Sequence, residues 1–427
     1  MSKKNRLSKE QKKVLFISIL GTALEFYDFT LYSVFSVSIG KTFFPANREI
    51  ISILSAFAAF AAGFIMRPFG GILIGYLGDK FGRRYALTIS MLLMGIPALI
   101  TGILPSFETV GIIAPIIIVF ARLTQGLSAG GEFNGAAIFI LEHFHNSRKR
   151  GFFSALISSA GGLGALFALI LGSLASHKSF PEWGWRIPFI LGALISFVGF
   201  LLRRTIDESP EFKASRVDKK SAPKRLKDII KNHFIEIAVV IAIGALDGSL
   251  AYLLVGFMNV YFNHFSGIDI SSSMLISSLG LITYLIATPF TGVLYDRLSN
   301  KRFFNFTFCI LIFSSIPLFY LFQSKYIYFK IIGIACLASM FSLISGSQHA
   351  FMQGLFPTSF RFRAIAFGFN LGSCVVGGTT PIILTWLMDS SQNLSLPGYF
   401  LFVESLVCFF IFNLYFRQNK KNINKNK

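Results

Sequence analysis

Twelve stretches of this 427-residue chain are apolar over the roughly 20 residues that a membrane-spanning helix needs. They are 14–40, 51–77, 85–104, 110–141, 151–176, 186–204, 234–262, 273–295, 303–322, 326–352, 363–387 and 397–416. A lipid core offers peptide groups no water to bond, so helices, which satisfy their own backbone, are the economical way across. Hydrophobic residues make up 53% of the chain and charged ones 14%, against roughly 25% charged in soluble domains. The expected fold is therefore an all-α integral membrane protein with 12 transmembrane helices in two six-helix bundles.

The charges sort by side. Of the 40 Lys and Arg residues, 32 fall at the N-terminus, in alternate loops and in the tail, on one common face. The opposite face has Lys41, Arg48, Lys178, Arg186, Lys325 and Lys330. The positive-inside rule places the rich face, with both termini, in the cytoplasm. A net charge of +20 thus reflects topology and no nucleic-acid partner. The N-terminal cations precede an apolar run that contains Glu25 and Asp28 and lacks a cleavage site, so the first helix is read as retained. The expected organisation is a basic N-terminus (1–13), a first bundle (14–204), a cytoplasmic linker (205–232), a second bundle (233–416) and a basic tail (417–427). The linker mixes Lys and Arg with Asp207, Glu208, Glu211, Asp218 and Asp228 and reads as solvated.

A loop signature appears once in each half. Gly75-Tyr76-Leu77-Gly78-Asp79-Lys80-Phe81-Gly82-Arg83-Arg84 is echoed by Gly292-Val293-Leu294-Tyr295-Asp296-Arg297-Leu298-Ser299-Asn300-Lys301-Arg302, with the acids 217 positions apart. One motif at matching places in two apolar halves points to a duplicated bundle of the kind found in transporters.

Ionisable groups inside spans cost at least ~2.5–3.5 kcal/mol each on insertion scales, so those present are the first candidates for chemistry. Glu25 and Asp28 share a face of the first helix, and Tyr32 extends that stripe. Arg67 lies in the second span, Arg122, Gln125 and Glu132 in the fourth, Asp247 in the seventh and Glu404 in the twelfth. Glu25 or Asp28 pairing with Arg67 or Arg122 is read either as a static pair that sets helix register or as a proton relay. Gly126, Gly130, Gly131 and Gly135 in the fourth span allow another helix to approach closely, and the polar residues among them suggest a helix lining a wet cavity.

Cys309, Cys336, Cys374 and Cys408 lie in apolar runs without CxxC spacing and read as buried small hydrophobes. The chain lacks HExxH and a Walker loop, so neither metal nor cofactor is expected and no enzyme or ATP-driven pump. The energy then comes from a gradient.

The signature at Gly75–Arg84 resembles the loop motif of the major facilitator superfamily. Gly21–Phe29, Arg67-Pro68-Phe69-Gly70-Gly71, Gln125–Glu132 and Trp183–Phe189 resemble the metabolite:proton symporters. Phe356-Pro357-Thr358 with Arg361 and Asn370, and Ser390–Leu394 before Pro397, are most like the proline/glycine-betaine branch. The likeness runs from Leu20 to about Tyr415. It implies the major facilitator fold and proton-coupled import of a small zwitterionic or carboxylate metabolite by alternating access. A proline/betaine-like osmolyte comes first and a dicarboxylate such as oxoglutarate second. It also implies that Asp79 contacts the start of the eleventh helix and Asp296 the start of the fifth.

Arg122 stands where that branch tends to carry Lys, and Asp247 where it tends to carry a neutral polar residue. An arginine fork suits a carboxylate. Osmosensing members often end in a long charged coiled coil, whereas this chain ends in a short Lys/Asn tail, so gating by such a tail is not expected. Ser299-Asn300 replaces the turn glycine in the second motif copy, which is expected to grip less firmly. The expected substrate-binding or proton-coupling set is Glu25, Asp28, Tyr32, Arg67, Arg122, Gln125, Glu132 and Asp247. The cytoplasmic gate is Gly75, Asp79, Gly82, Arg83, Arg84, Gly292, Asp296 and Arg297. The expected partners are a small-molecule substrate, protons and the lipid bilayer, with the chain acting as a monomer in a bacterial inner membrane. The alternatives are a proton-independent facilitator or exporter of the same fold, or a transporter-like solute sensor.

Overall fold

The computed structural model describes residues 7–145, 147–175, 181–217 and 225–425. Lys3, Lys4 and Arg6 of the basic N-terminus, His177 and Lys178, the linker residues Asp218, Lys219, Lys220 and Lys224, and Lys427 lie outside the described residues.

Twelve helices are long and apolar enough to cross a membrane: α1 Lys9–Val34, α2 Leu54–Lys80, α3 Arg83–Ile103, α4 Ile113–His143, α5 Arg150–Ala175, α6 Glu182–Arg203, α7 Phe234–Phe265, α8 Ser272–Arg297, α9 Asn300–Phe322, α10 Ile327–Gln353, α11 Arg361–Ser391 and α12 Leu396–Lys420. Each expected window falls on one of them, and the differences have local causes. Helix α1 starts within the basic N-terminus, because Ser8 and Gln11 form a capping box with bonds of 3.1 and 3.0 Å. It stops at Val34, and a separate helix, Ser36–Phe43, covers the rest of the first window. Helix α7 carries π-turns at Leu253–Phe257 and Tyr261–Phe265, and α11 one at Ser373–Gly377.

Two compact units divide the chain. The first comprises Met1–Asn146, Ala160–Lys224 and Pro357–Phe367, and the second Ser147–Ser159, Arg225–Phe356 and Gly368–Lys427. In the first unit a buried cluster of Tyr27, Leu31, Tyr32, Phe35, Phe43 and Phe189 fills one end of the core. Helix α4 packs on α2 through glycine, with Gly126 set against the Gly63 carbonyl. In the second unit Phe304, Phe308, Phe351 and Phe412 interlock edge-to-face and stacked, with centroids 4.6–5.3 Å apart in four of the pairs.

Large apolar side chains such as Phe290, Phe313 and Ile382 point outward, at 70%, 76% and 73% exposure, as a lipid-facing surface requires. Cys309 and Cys336 share that outward exposure and Cys374 is half-buried, so only Cys408 is the buried hydrophobe expected. Lys330, counted among the cations of the opposite face, is buried and donates to the Phe322 carbonyl at the end of α9 (2.5 Å).

Candidate functional site

Helix α1 lays Glu25 and Asp28 on one face, and each meets a different arginine. The Arg67 Nη2 lies 3.7 Å from Glu25 Oε1, with the guanidinium held between the rings of Phe29 and Phe64 at 4.3 and 4.5 Å. Arg122 Nη1 lies 3.3 Å from Asp28 Oδ2, and its Cζ sits 4.2 Å over the Tyr32 ring. Tyr32 is fixed in turn: its hydroxyl donates to the Ala56 carbonyl (3.1 Å) and its ring stacks on Phe60. Gln125, one turn along α4 from Arg122, lies beside Asp28 and donates from Nε2 to the Met94 carbonyl (3.4 Å). Glu25, Asp28, Tyr32, Arg122 and Gln125 are nearly inaccessible, and Arg67 is half-buried. Arg122 Nε and Nη2 have no hydrogen-bond acceptor among the described residues. A guanidinium that gives one nitrogen to an acid and keeps two donors unspent is equipped to take a second carboxylate.

Glu132 does not join them. It forms a two-pronged ion pair with Arg203 at the end of α6, accepts from Ser90 Oγ, and Arg203 also donates to the Leu87 carbonyl. Arg203 is buried. These bonds occupy both carboxylate oxygens of Glu132. Asp247 lies in the second unit, beside Ser345 and Gln348. Ser345 is itself tied in: its carbonyl accepts from Ser158 Oγ (2.6 Å) and its hydroxyl meets the Tyr284 hydroxyl (2.8 Å).

The two motif copies make the same contact in the same register. Asp79 accepts from the amides of Phe362 (3.2 Å) and Arg363 (3.1 Å), the second and third residues of α11. Asp296 accepts from Gly151 (2.6 Å) and Phe152 (3.0 Å), the second and third residues of α5. A helix N-terminus leaves these amides unbonded and favours negative charge. The motif glycines allow the approach: Gly75 faces the Arg363 backbone, and Gly292 and Gly151 lie against each other's carbonyls. Gly82, between α2 and α3, has φ +114°, open to glycine and to few other residues.

The second copy does not hold its helix at longer range. What it lacks is the arginine. Arg83 lies 3.4 Å from Asp79, pairs with Glu142 (3.1 Å) and donates to the Gly78 and Thr358 carbonyls (2.8 and 2.6 Å). At the matching register Asn300 only accepts from the Tyr295 hydroxyl (2.9 Å), and Arg297 is exposed.

The Major Facilitator Superfamily profile matches residues 18–381. The glycine betaine/proline/ectoine/pipecolic acid transporter OusA of Dickeya dadantii is 33% identical over 410 residues, covering 93% of this chain and 81% of that protein. The proline/betaine transporter of Escherichia coli K12 matches at the same identity and coverage. This chain belongs to the major facilitator superfamily, in its proline/betaine branch. It is a multi-pass membrane protein and a transporter, not an enzyme. The solved proton:xylose symporter XylE, bound to 6-bromo-6-deoxy-D-glucose, superposes with a TM-score of 0.76 over 94% of both chains. At 16% identity that likeness shows the shared fold alone.

In this family member the sequence reading missed one cluster. Glu142 at the end of α4 receives Arg83 and Arg361 (3.0 Å), and Arg361 also pairs with Glu211 (2.6 Å). Ser209 donates to Glu142 (2.5 Å), while Glu208 accepts from the Arg84 amide (3.1 Å). Burial pushes the Glu208 carboxyl above its ordinary range. The start of the linker is therefore docked, not solvated. The available signal was the pattern of acids at 208 and 211 set among buried Ile206, Ser209 and Phe212.

Proposed function

We propose that this transporter imports a small zwitterion, of the proline or betaine type, together with protons by alternating access. The observation that carries the reading is Arg122: paired to Asp28 on one nitrogen, stacked on Tyr32, with two further nitrogens unspent. The substrate carboxylate takes those nitrogens. Its cationic end takes the carboxylate of Asp28 and the face of Tyr32, since aromatic faces attract quaternary ammonium groups. Glu25, held by Arg67 at 3.7 Å and so beyond hydrogen-bond range, is the proton-coupling acid. Asp247 serves the second unit as a further coupling or binding group. The substrates for which these relatives are named support the substrate class.

The motif-bearing ends, with both termini, lie on the cytoplasmic side of a bacterial inner membrane, where the basic residues concentrate. Asp79 and Asp296 with Gly75, Gly82, Arg83, Arg84, Gly292 and Arg297 form the gate there, and the chain works as a monomer.

Competition in proteoliposomes tests the substrate class. Unlabelled betaine and proline are expected to displace labelled betaine, while oxoglutarate and citrate do not. Displacement by oxoglutarate alone would transfer the chain to dicarboxylates.

A further inference from the structure

The second unit carries a membrane-embedded acid that none of the site chemistry uses. Glu404 lies in α12, and its Oε1 is 3.0 Å from Ser249 Oγ on α7. Ser249 Oγ is 3.1 Å from Thr380 Oγ1, and Thr380 Oγ1 is 2.8 Å from the Val376 carbonyl. Val376 belongs to the π-turn of α11, Ser373–Gly377, after which the helix restarts at Thr380. Three helices thus meet in one line of oxygens. π-Turns of this kind recur where helices serve a function.

Counting hydrogens decides the state of the acid. The line has three oxygen–oxygen contacts, and each needs one hydrogen. The Val376 carbonyl can only accept, so Thr380 donates to it. Thr380 then accepts from Ser249, which uses the one hydrogen Ser249 owns. The contact between Ser249 and Glu404 is left without a hydrogen unless the carboxyl supplies it. With Glu404 ionised, one of the three contacts is a pair of facing lone pairs, whichever way the hydroxyls turn.

The surroundings agree with that count. The groups that face Glu404 are Ser249 from α7, Thr380 through Ser249 from α11, and the Cys408 thiol on its own helix. No cation pairs with Glu404 among the described residues, and its Oε2 has no hydrogen-bond donor. A neutral acid tolerates a bare carbonyl oxygen far better than a carboxylate tolerates a bare anionic one. Asp247 is two residues from Ser249 on α7, so it lies on another face of that helix.

We propose that Glu404 is a proton-binding site of the second unit, occupied as the neutral acid, whose hydrogen completes a donor chain from Glu404 through Ser249 and Thr380 to the Val376 carbonyl. The chain ties α12 and α7 to the π-turn of α11. Release of the proton to solvent leaves the line one hydrogen short and loosens that junction. The site belongs to the second unit and Arg122 to the first, and it does not depend on which substrate is carried.

Infrared spectra of the full chain in liposomes test this. The wild-type minus Glu404→Gln difference at neutral pH is expected to show a carboxylic-acid carbonyl stretch. A carboxylate stretch in its place would overturn the proposal. Gln donates an N–H to Ser249 at every pH, so Glu404→Gln is expected to keep the fold. It should also hold its melting temperature at alkaline pH, where the wild type loses stability. Should that variant fail to fold, Thr380→Val gives an independent reading. It frees the Ser249 hydrogen for Glu404, so the acid band is expected to vanish at a lower pH than in wild type. An unchanged titration of the band would contradict the donor chain.

Discussion

Two buried arginines show how similar chemistry is put to different use. Arg203 spends its donors on both oxygens of Glu132 and on the Leu87 carbonyl, whereas Arg122 retains two nitrogens. Arg203→Ala strands the Glu132 charge, and breaking a buried pair in this way costs about 3–5 kcal/mol. A lowered melting temperature in detergent is expected, with partial recovery when Glu132→Gln is added. If the single variant melted like wild type, Glu132 would not be the partner described. Arg122→Ala removes hydrogen bonds to a charged group, worth roughly 1.5–3 kcal/mol. Betaine affinity should fall at least tenfold while the protein stays folded, and unchanged affinity would remove Arg122 from the binding site. The sequence pointed to Arg122, Asp28, Glu25 and Arg67 because charge within an apolar span has few explanations. The pairing of Glu132 was hidden, because its partner Arg203 lies at the end of another span, where a cation looks like a topology signal.

At the scale of elements, helix ends carry the repeated motif. Each acid bonds the second and third amides of a helix start far away in sequence, and the glycine four residues before it makes room. Gly292→Val puts side-chain carbons onto the Gly151 carbonyl. A loss of thermal stability is expected there, and none after a valine substitution at outward-facing Leu279. Equal tolerance at both positions would mean that the close approach is not needed.

The docked linker adds a pH effect through Glu208. Its carboxyl titrates above its unfolded value because it is buried, so its contribution is full on the acid side and is lost as the pH rises through the folded value. Glu208→Gln should flatten that part of the stability profile, as melting scans across pH would show. The twelve helices and the motif were legible from length, periodicity and spacing. The π-turns and the docked linker were not, since a π-turn leaves no mark on hydropathy and docking depends on acids finding Arg84 and Arg361 across the fold.

The whole molecule is a member of a transporter family. An inward proton gains about 2.3 kcal/mol per 100 mV of membrane potential, enough to concentrate a solute when the two moves are coupled. Purified protein in liposomes, with an imposed inward proton gradient and labelled betaine outside, measures that coupling. The expected result is betaine accumulation above the outside concentration, accompanied by acidification of the lumen and abolished by a protonophore. Uptake that only equilibrates, at the same rate with and without the gradient, would contradict proton-coupled import and leave a facilitator.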